Sequence, residues 1–300
     1  MEKCQYDFGI TGIPIRWKTP FPLELDERYG AFLTDIGEKP EIIWNIRVGV
    51  PRRDRKAEEV IYEGEWCQIT TDEKYQYRTF SYSSVQKERV VTLIRPLTNK
   101  DYYNLYIPKG SEEEFKRAKN WSFYMALEEV LYSRGRFLLH ASYVDTEDGA
   151  LLFTGPSGIG KSTQAALWEQ YGGGKIQNGD RAALYEEDGR IIASGSPYAG
   201  SSGVYRNHQS RVRAILVLEQ GEENRLRRLK GREGLLPLLR ESSFSYMDGE
   251  MKIHQTELFI RVMETVPVYH YCCRKDRSAV YTLKEELERI SCGKQCSDTL

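Results

Sequence analysis

No aliphatic run in this sequence is longer than residues 214–218, far short of the roughly 20 apolar residues that cross a bilayer. The opening Met1-Glu2-Lys3-Cys4-Gln5 holds no apolar signal region. The expectation is a cytoplasmic protein with no membrane partner. An excess of one charge is also missing. There are 43 Lys and Arg against 44 Asp and Glu, and clusters such as Arg52-Arg53-Asp54-Arg55-Lys56 mix both signs. Binding to nucleic-acid phosphates calls for a basic stripe, so nucleic acid is not expected as a partner. Cysteine is sparse, six in 300 residues. Neither the adjacent Cys272-Cys273 nor the pair Cys292 and Cys296 matches a small-domain disulfide framework or a common zinc-ligand spacing. Reduced thiols and no metal centre built from cysteine follow. Repeats and low-complexity segments are absent too.

What remains is a chain long enough for one large domain or two ordinary ones. Residues 1–108 carry short runs rich in Tyr, Ile and Val, broken by Pro and Gly, such as Gly12-Ile13-Pro14-Ile15-Arg16-Trp17 and Val90-Val91-Thr92-Leu93-Ile94. This pattern predicts a β-rich, antiparallel N-terminal domain. It carries no chemistry of its own, and substrate recognition is the role left open to it. Near residue 110 the pattern changes. Ser111 and Glu114 have the spacing of a capping box, and Phe123, Ala126, Leu127, Val130 and Leu131 recur at helical spacing up to Gly135. One helix is therefore expected to open a second domain, 109–300. After it, strands are expected at 137–144 and 150–154, a helix at 161–171, a break at Gly172-Gly173-Gly174, and a strand entering 176–180. A hairpin at Asp188-Gly189, a strand at 212–218, helices near 232–243 and 250–265, and a strand at 268–273 follow. Val280, Leu283, Leu287 and Ile290 share one face of a last helix. The fold class is α/β.

The strongest local signal is Gly155-Pro156-Ser157-Gly158-Ile159-Gly160-Lys161-Ser162, followed by Thr163. It fits G-x-x-x-x-G-K-[ST] at every fixed position and lies between an apolar strand and a helix, where a phosphate loop belongs. Glycines let successive backbone N–H groups converge on phosphate oxygens, and the new helix adds its positive end. Lys161 supplies a compact cation. The Ser162 hydroxyl suits one position of an octahedral Mg²⁺. ATP and Mg²⁺ are the cofactors this motif calls for.

The segment Leu138-Leu139-His140-Ala141-Ser142-Tyr143-Val144, the loop with its strand, and Asn178-Gly179-Asp180-Arg181 together resemble the catalytic core of HPr kinase/phosphorylase. That family shares its nucleotide-binding fold with ATP-dependent phosphoenolpyruvate carboxykinases. The resemblance spans about residues 137–187. It implies an HPr kinase C-terminal, phosphoenolpyruvate carboxykinase-like P-loop core behind the β-rich domain. His140 falls where the family keeps an active-site His on the strand before the loop. Asp180 aligns with the family's general base, the second Asp of a pair, if the run Gly172-Gly173-Gly174 absorbs one extra residue. An Asp beside Mg²⁺ can take the proton of an attacking hydroxyl, so His140, Lys161 and Asp180 are the expected catalytic group, with Ser162 and Asp180 toward the metal. Gly179 stands in place of the pair's first Asp, and the family's later acidic Mg²⁺ ligand and distal basic motif have no counterparts in 196–246. A glycine- and serine-rich loop, 195–207, stands there instead, expected to close over phosphates with Arg206 neutralising charge. Glu219, at the end of an apolar strand, is left unassigned.

The resemblance implies transfer of the ATP γ-phosphoryl group to a hydroxyl, most plausibly a serine of a peptide or small protein, by a chain that forms homo-oligomers as related kinases often do. Two other readings stay open on the residues alone. One is a small-molecule kinase or carboxykinase-like enzyme. The other is a non-catalytic nucleotide switch.

Overall fold

The computed structural model describes residues 4–81, 90–118, 121–198, 200–242 and 249–297, the side chains of Ser201 and of 290–297 excepted. The chain is a mixed α/β protein that divides into two compact units, Met1–Leu131 and Tyr132–Leu300. Among the described residues no helix is long and apolar enough to cross a membrane.

The first unit is built on a sheet of strands β1 (Cys4–Ile10), β2 (Ile13–Thr19), β3 (Ile42–Val48), β4 (Glu59–Glu63), β5 (Cys67–Thr71), β6 (Tyr75–Ser81), β7 (Val90–Pro96) and β8 (Tyr102–Ile107), in the order β1-β2-β3-β8-β7-β6-β5-β4. Alternation drives it: along β2 the residues Ile13, Ile15, Trp17 and Thr19 are buried and those between them are half-exposed. The expected antiparallel sheet is corrected in its middle, where β2–β3 and β3–β8 run parallel. Strand direction is set by long connections, which side-chain alternation does not encode.

The single helix expected after Ser111 is also corrected. Ser111 makes no side-chain capping bond, and the segment breaks into α2 (Glu112–Lys116), α3 (Trp121–Tyr124) and α4 (Leu127–Ser133), which follow the short α1 (Glu27–Gly30). Ala126 adopts a φ of +47°, which no continuous helix tolerates. Aromatic burial outweighs the helical spacing. Trp121 packs 5.7 Å from Trp17 and 5.1 Å from Tyr29, ring to ring, and its indole N–H donates to the Phe115 carbonyl at 3.0 Å. These helices therefore belong with the first unit up to Leu131, and the division falls after residue 131 instead of at 108/109.

The second unit carries β9 (Phe137–Thr146), β10 (Gly149–Thr154), β11 (Lys175–Asn178), β12 (Arg181–Glu187), β13 (Arg190–Ser194), β14 (Gln209–Gln220), β15 (Arg225–Arg228) and β16 (Val268–Cys273). Helix α5 (Lys161–Leu167) runs into a wider turn, Trp168–Gly172. Helices α6 (Gly231–Glu241), α7 (Gly249–Thr265) and α8 (Arg277–Ser297) complete it. The hairpin at Asp188-Gly189 joins β12 and β13 as expected. Of the last helix's apolar face, Val280, Leu283 and Leu287 are buried, while the Ile290 side chain lies outside the described residues.

Two strands are long enough to serve three partners each, β9 also taking β11 along 143–145. The first half of β9, 137–140, pairs with β12, and its second half, 141–146, pairs with β10. Likewise β14 pairs first with β13 and then with β10 and β16. The pairings β10–β9–β12–β13–β14–β10 close into a ring, with β10, β14 and β16 mutually parallel. The apolar residues 150–153 of β10 are buried on both faces, as a central parallel strand requires. Leu152 packs in one core with Phe259 and Val262 of α7, while Leu151 and Phe153 pack in the other with Val280 and Leu283 of α8.

Candidate functional site

The place where β9 leaves β12 and joins β10 is a fork in the sheet, and three segments distant in sequence meet there. His140 is the last residue of β9 paired to β12, opposite Arg181, and Ala141 is the first paired to β10, opposite Thr154. The Thr154 hydroxyl donates to the His140 carbonyl at 2.9 Å, and the Ala141 N–H donates to the Asp180 carbonyl at 2.9 Å. The end of β10, the start of β12 and the middle of β9 are thereby fastened together. The loop of residues 155–160 leaves the carboxyl end of β10 at this point.

The loop's glycines do what the motif requires of them. Gly160 caps α5 at φ +111°, a conformation a side chain resists. Lys161 opens α5 and is buried, its Nζ donating to the carbonyls of Gly155 at 2.8 Å and Pro156 at 3.1 Å. Burial pushes its ammonium below the usual lysine range, and the charges of Glu241 and Asp180 oppose that shift. Ser162 and Thr163, in the same turn, are exposed, as are Pro156, Ser157 and Gly158, while Ile159 is half-buried.

Asp180 sits on a turn stiffened by Asn178. The fully buried Asn178 accepts the N–H groups of Asp180 at 2.9 Å and Arg181 at 2.8 Å through Oδ1. Its Nδ2 donates to the carbonyls of Ser196 and Tyr198, each at 3.0 Å. The Asp180 carboxylate, 28% exposed, lies 3.6 Å from Nε2 of His140. The other ring nitrogen, Nδ1, lies 3.3 Å from Glu241 at the end of α6. His140, Lys161 and Asp180 thus share one charge cluster, and Glu241 is its fourth member. Sequence reasoning missed Glu241. Its one signal was an acid at a helix C-terminus, where the dipole disfavours it.

The loop 195–207 is fastened instead of free. Besides the Asn178 bonds, the Gly179 N–H donates to Val204 and the Ser196 hydroxyl to the Arg181 carbonyl. Gly200, at φ +54°, lies so close to Asp180 that a Cβ there would meet its Cβ and Cγ at 2.7 Å. The loop therefore reaches the site through Gly200. Arg206 donates through Nε to the Ile176 carbonyl at 3.1 Å, and the described contacts do not join it to residues 155–163. Glu219 bonds His270 at 2.8 Å. The next residue, Gln220, reaches the loop, its Nε2 donating to the Gly158 and Ile159 carbonyls, each at 3.1 Å. Nothing in the sequence announced that contact.

Among the described residues no group of three or more His, Cys, Asp and Glu converges as a metal centre. The oxygens at hand are the exposed Ser162 hydroxyl and the Asp180 carboxylate. Such a set suits Mg²⁺, which keeps waters and phosphate oxygens for most of its positions, so the donor chemistry fits that ion.

No known family model matches the chain, and no curated protein matches it in sequence. Among solved structures it is similar to the HPr(Ser) kinase/phosphatase from Coxiella burnetii, at 16% identity over 54% of this chain and 94% of that one, with a TM-score of 0.34.

Proposed function

We propose that the chain is an ATP-dependent phosphotransferase that binds ATP with Mg²⁺ at residues 155–163 and transfers the γ-phosphoryl group to a hydroxyl, a serine of a peptide or small protein. The observation that carries this reading is the meeting, at one fork of the sheet, of the loop that follows β10 and the acid that precedes β12: the Ala141 N–H donates to the Asp180 carbonyl, and Nε2 of His140 lies 3.6 Å from the Asp180 carboxylate. Phosphoryl transfer is mostly positioning and charge neutralisation. In this reading the loop's backbone donors and Lys161 hold the phosphates, and Asp180 takes the proton of the attacking hydroxyl. Ser162 and Asp180 would hold Mg²⁺, which supplies charge neutralisation on the phosphate oxygens when bound. His140 steadies Asp180 from the neighbouring strand. The β-rich first unit is assigned to recognition of the acceptor.

The non-catalytic switch is favoured by one residue, Gly179, where the family resemblance called for an acid. Single-turnover mixing with Mg-ATP and a serine-containing peptide separates the two. The phosphotransferase reading expects ADP and a phosphoserine ester in equal amounts. Tight Mg-ATP binding with neither product would favour the switch.

A further inference from the structure

The carboxyl end of a helix exposes carbonyls carrying partial negative charge, so an acid placed there needs a compensating partner. Glu241 is the last residue of α6, and its side chain is only 10% exposed. Its partner is Nδ1 of His140 at 3.3 Å, and it lies within electrostatic range of Lys161.

The helix end that carries it is anchored by a buried polar network. The Ser242 hydroxyl donates to the Leu238 carbonyl at 2.7 Å, and the Tyr132 hydroxyl donates to the Ser242 carbonyl at 2.9 Å. Gln255 of α7 donates through Nε2 to the Ser242 carbonyl at 3.1 Å and to its Oγ at 3.0 Å. Tyr132, Ser242 and Gln255 are all buried. Three segments, α4, the end of α6 and α7, are thereby tied at one point, and Glu241 is delivered to a fixed place. The backbone of His140 is fixed as well, by its pairing with Arg181. What is left to set is the ring, which has one nitrogen toward Glu241 and the other 3.6 Å from Asp180. A carboxylate on one nitrogen of an imidazole determines the ring's orientation and what the other nitrogen presents.

We propose that Glu241 is a positioning residue of the phosphoryl-transfer site. It accepts the Nδ1–H of His140 and so fixes the plane of the ring, whose Nε2 edge bounds the space open to the Asp180 carboxylate and keeps it aimed at the hydroxyl that must lose its proton. The inference rests on the phosphotransferase reading, since Glu241 acts through His140 and not on the phosphate.

Two measurements on the full chain test it. The first needs no reaction. Long-range ¹H–¹⁵N spectra of the imidazoles show which nitrogen carries hydrogen, and His140 is picked out among the four histidines by the signal lost in His140→Ala. A hydrogen on Nδ1, with ring signals that move in Glu241→Gln, is expected. A bare Nδ1, or a ring unmoved in Glu241→Gln, overturns the proposal. The second is single-turnover transfer from Mg-ATP to a serine peptide, with Mg-ATP affinity by calorimetry. Glu241→Gln should slow transfer about 10- to 100-fold, the usual effect of a misplaced catalytic group, and leave affinity within about twofold. Glu241→Asp should recover part of the rate. Combined with His140→Ala, Glu241→Gln should add nothing, and losses that multiply in full would overturn the proposal. If the parent transfers no phosphate, the phosphotransferase reading fails while the imidazole spectra still decide whether Glu241 positions His140.

Discussion

Replacing Gly200 by alanine puts the loop's contact with Asp180 to a quantitative test. Two penalties apply. The residue adopts φ +54°, and a non-glycine L-residue in the left-handed region costs about 1–2 kcal/mol. The new Cβ would also stand 2.7 Å from both Cβ and Cγ of Asp180 and 2.8 Å from its Oδ1. The Asp180 Cβ is held by a backbone pinned to Asn178, so the side chain cannot simply swing away. Overpacking of this kind costs about 1–3 kcal/mol. Gly203 supplies the control, since it has φ +66° and nothing within 4 Å of the added carbon. Gly203→Ala should pay the conformational penalty alone. Thermal unfolding should therefore place Gly200→Ala below Gly203→Ala by about 1–3 kcal/mol, at roughly 2–4 °C per kcal/mol for a unit of this size. A displaced Asp180 should also slow phosphoryl transfer by about 10- to 100-fold in Gly200→Ala and leave Gly203→Ala unaffected. If the two variants melt together and turn over equally, Gly200 does not set the position of Asp180.

Lys161→Ala should severely weaken Mg-ATP binding, since the phosphates lose their one compact cation in a cradle of backbone donors, and unchanged affinity in calorimetry would remove the phosphate-loop reading. Burial places the Lys161 ammonium below its ordinary range, and the protonated form is the one that binds phosphate. Affinity should thus decline as pH rises through the lowered value, short of where an exposed lysine titrates, and calorimetry that is flat up to pH about 10.4 would contradict this. Gln220→Ala removes two bonds to the loop carbonyls, each worth about 0.5–1.5 kcal/mol, so Mg-ATP affinity should fall by at most roughly 5- to 150-fold, with little change in the rate from the bound state. Ser162→Ala should raise the Mg²⁺ concentration needed for half-maximal turnover, and an unchanged Mg²⁺ dependence would count against that ligand role.

The parts of this molecule legible in its sequence are those whose cause is local. The loop 155–162 falls between a strand and a helix, β10 and α5, as expected, because its glycines, its lysine and the apolar run before it are contiguous. The Asp188-Gly189 hairpin reads for the same reason. Helical spacing over 111–135 misled because Trp121 gains more from packing against Trp17 and Tyr29 than a continuous helix would give. Strand β15, Arg225–Arg228, has a charged sequence without alternation, and its pairing partner β16 supplies the order. At the site, His140 and Asp180 were singled out by the family resemblance that their neighbours in sequence carry. Their convergence depends on β9 changing partners between residues 140 and 141. Glu241 and Gln220 take part through the packing of α6 and the register of β14, which no short window of sequence contains.

In the proposed reading the cluster at the fork performs phosphoryl transfer with Asp180 as its base. The most direct measurement is the single-turnover rate of γ-phosphoryl transfer from Mg-ATP to a serine peptide by the parent and by Asp180→Asn, with Mg-ATP affinity determined for both. The expected result is transfer by the parent, near-parental affinity in Asp180→Asn, and a rate lower by about 10²–10⁴, the usual contribution of positioned proton transfer. Transfer by Asp180→Asn at the parental rate would contradict the general-base assignment, and a parent that binds Mg-ATP without transferring phosphate would contradict the phosphotransferase reading itself.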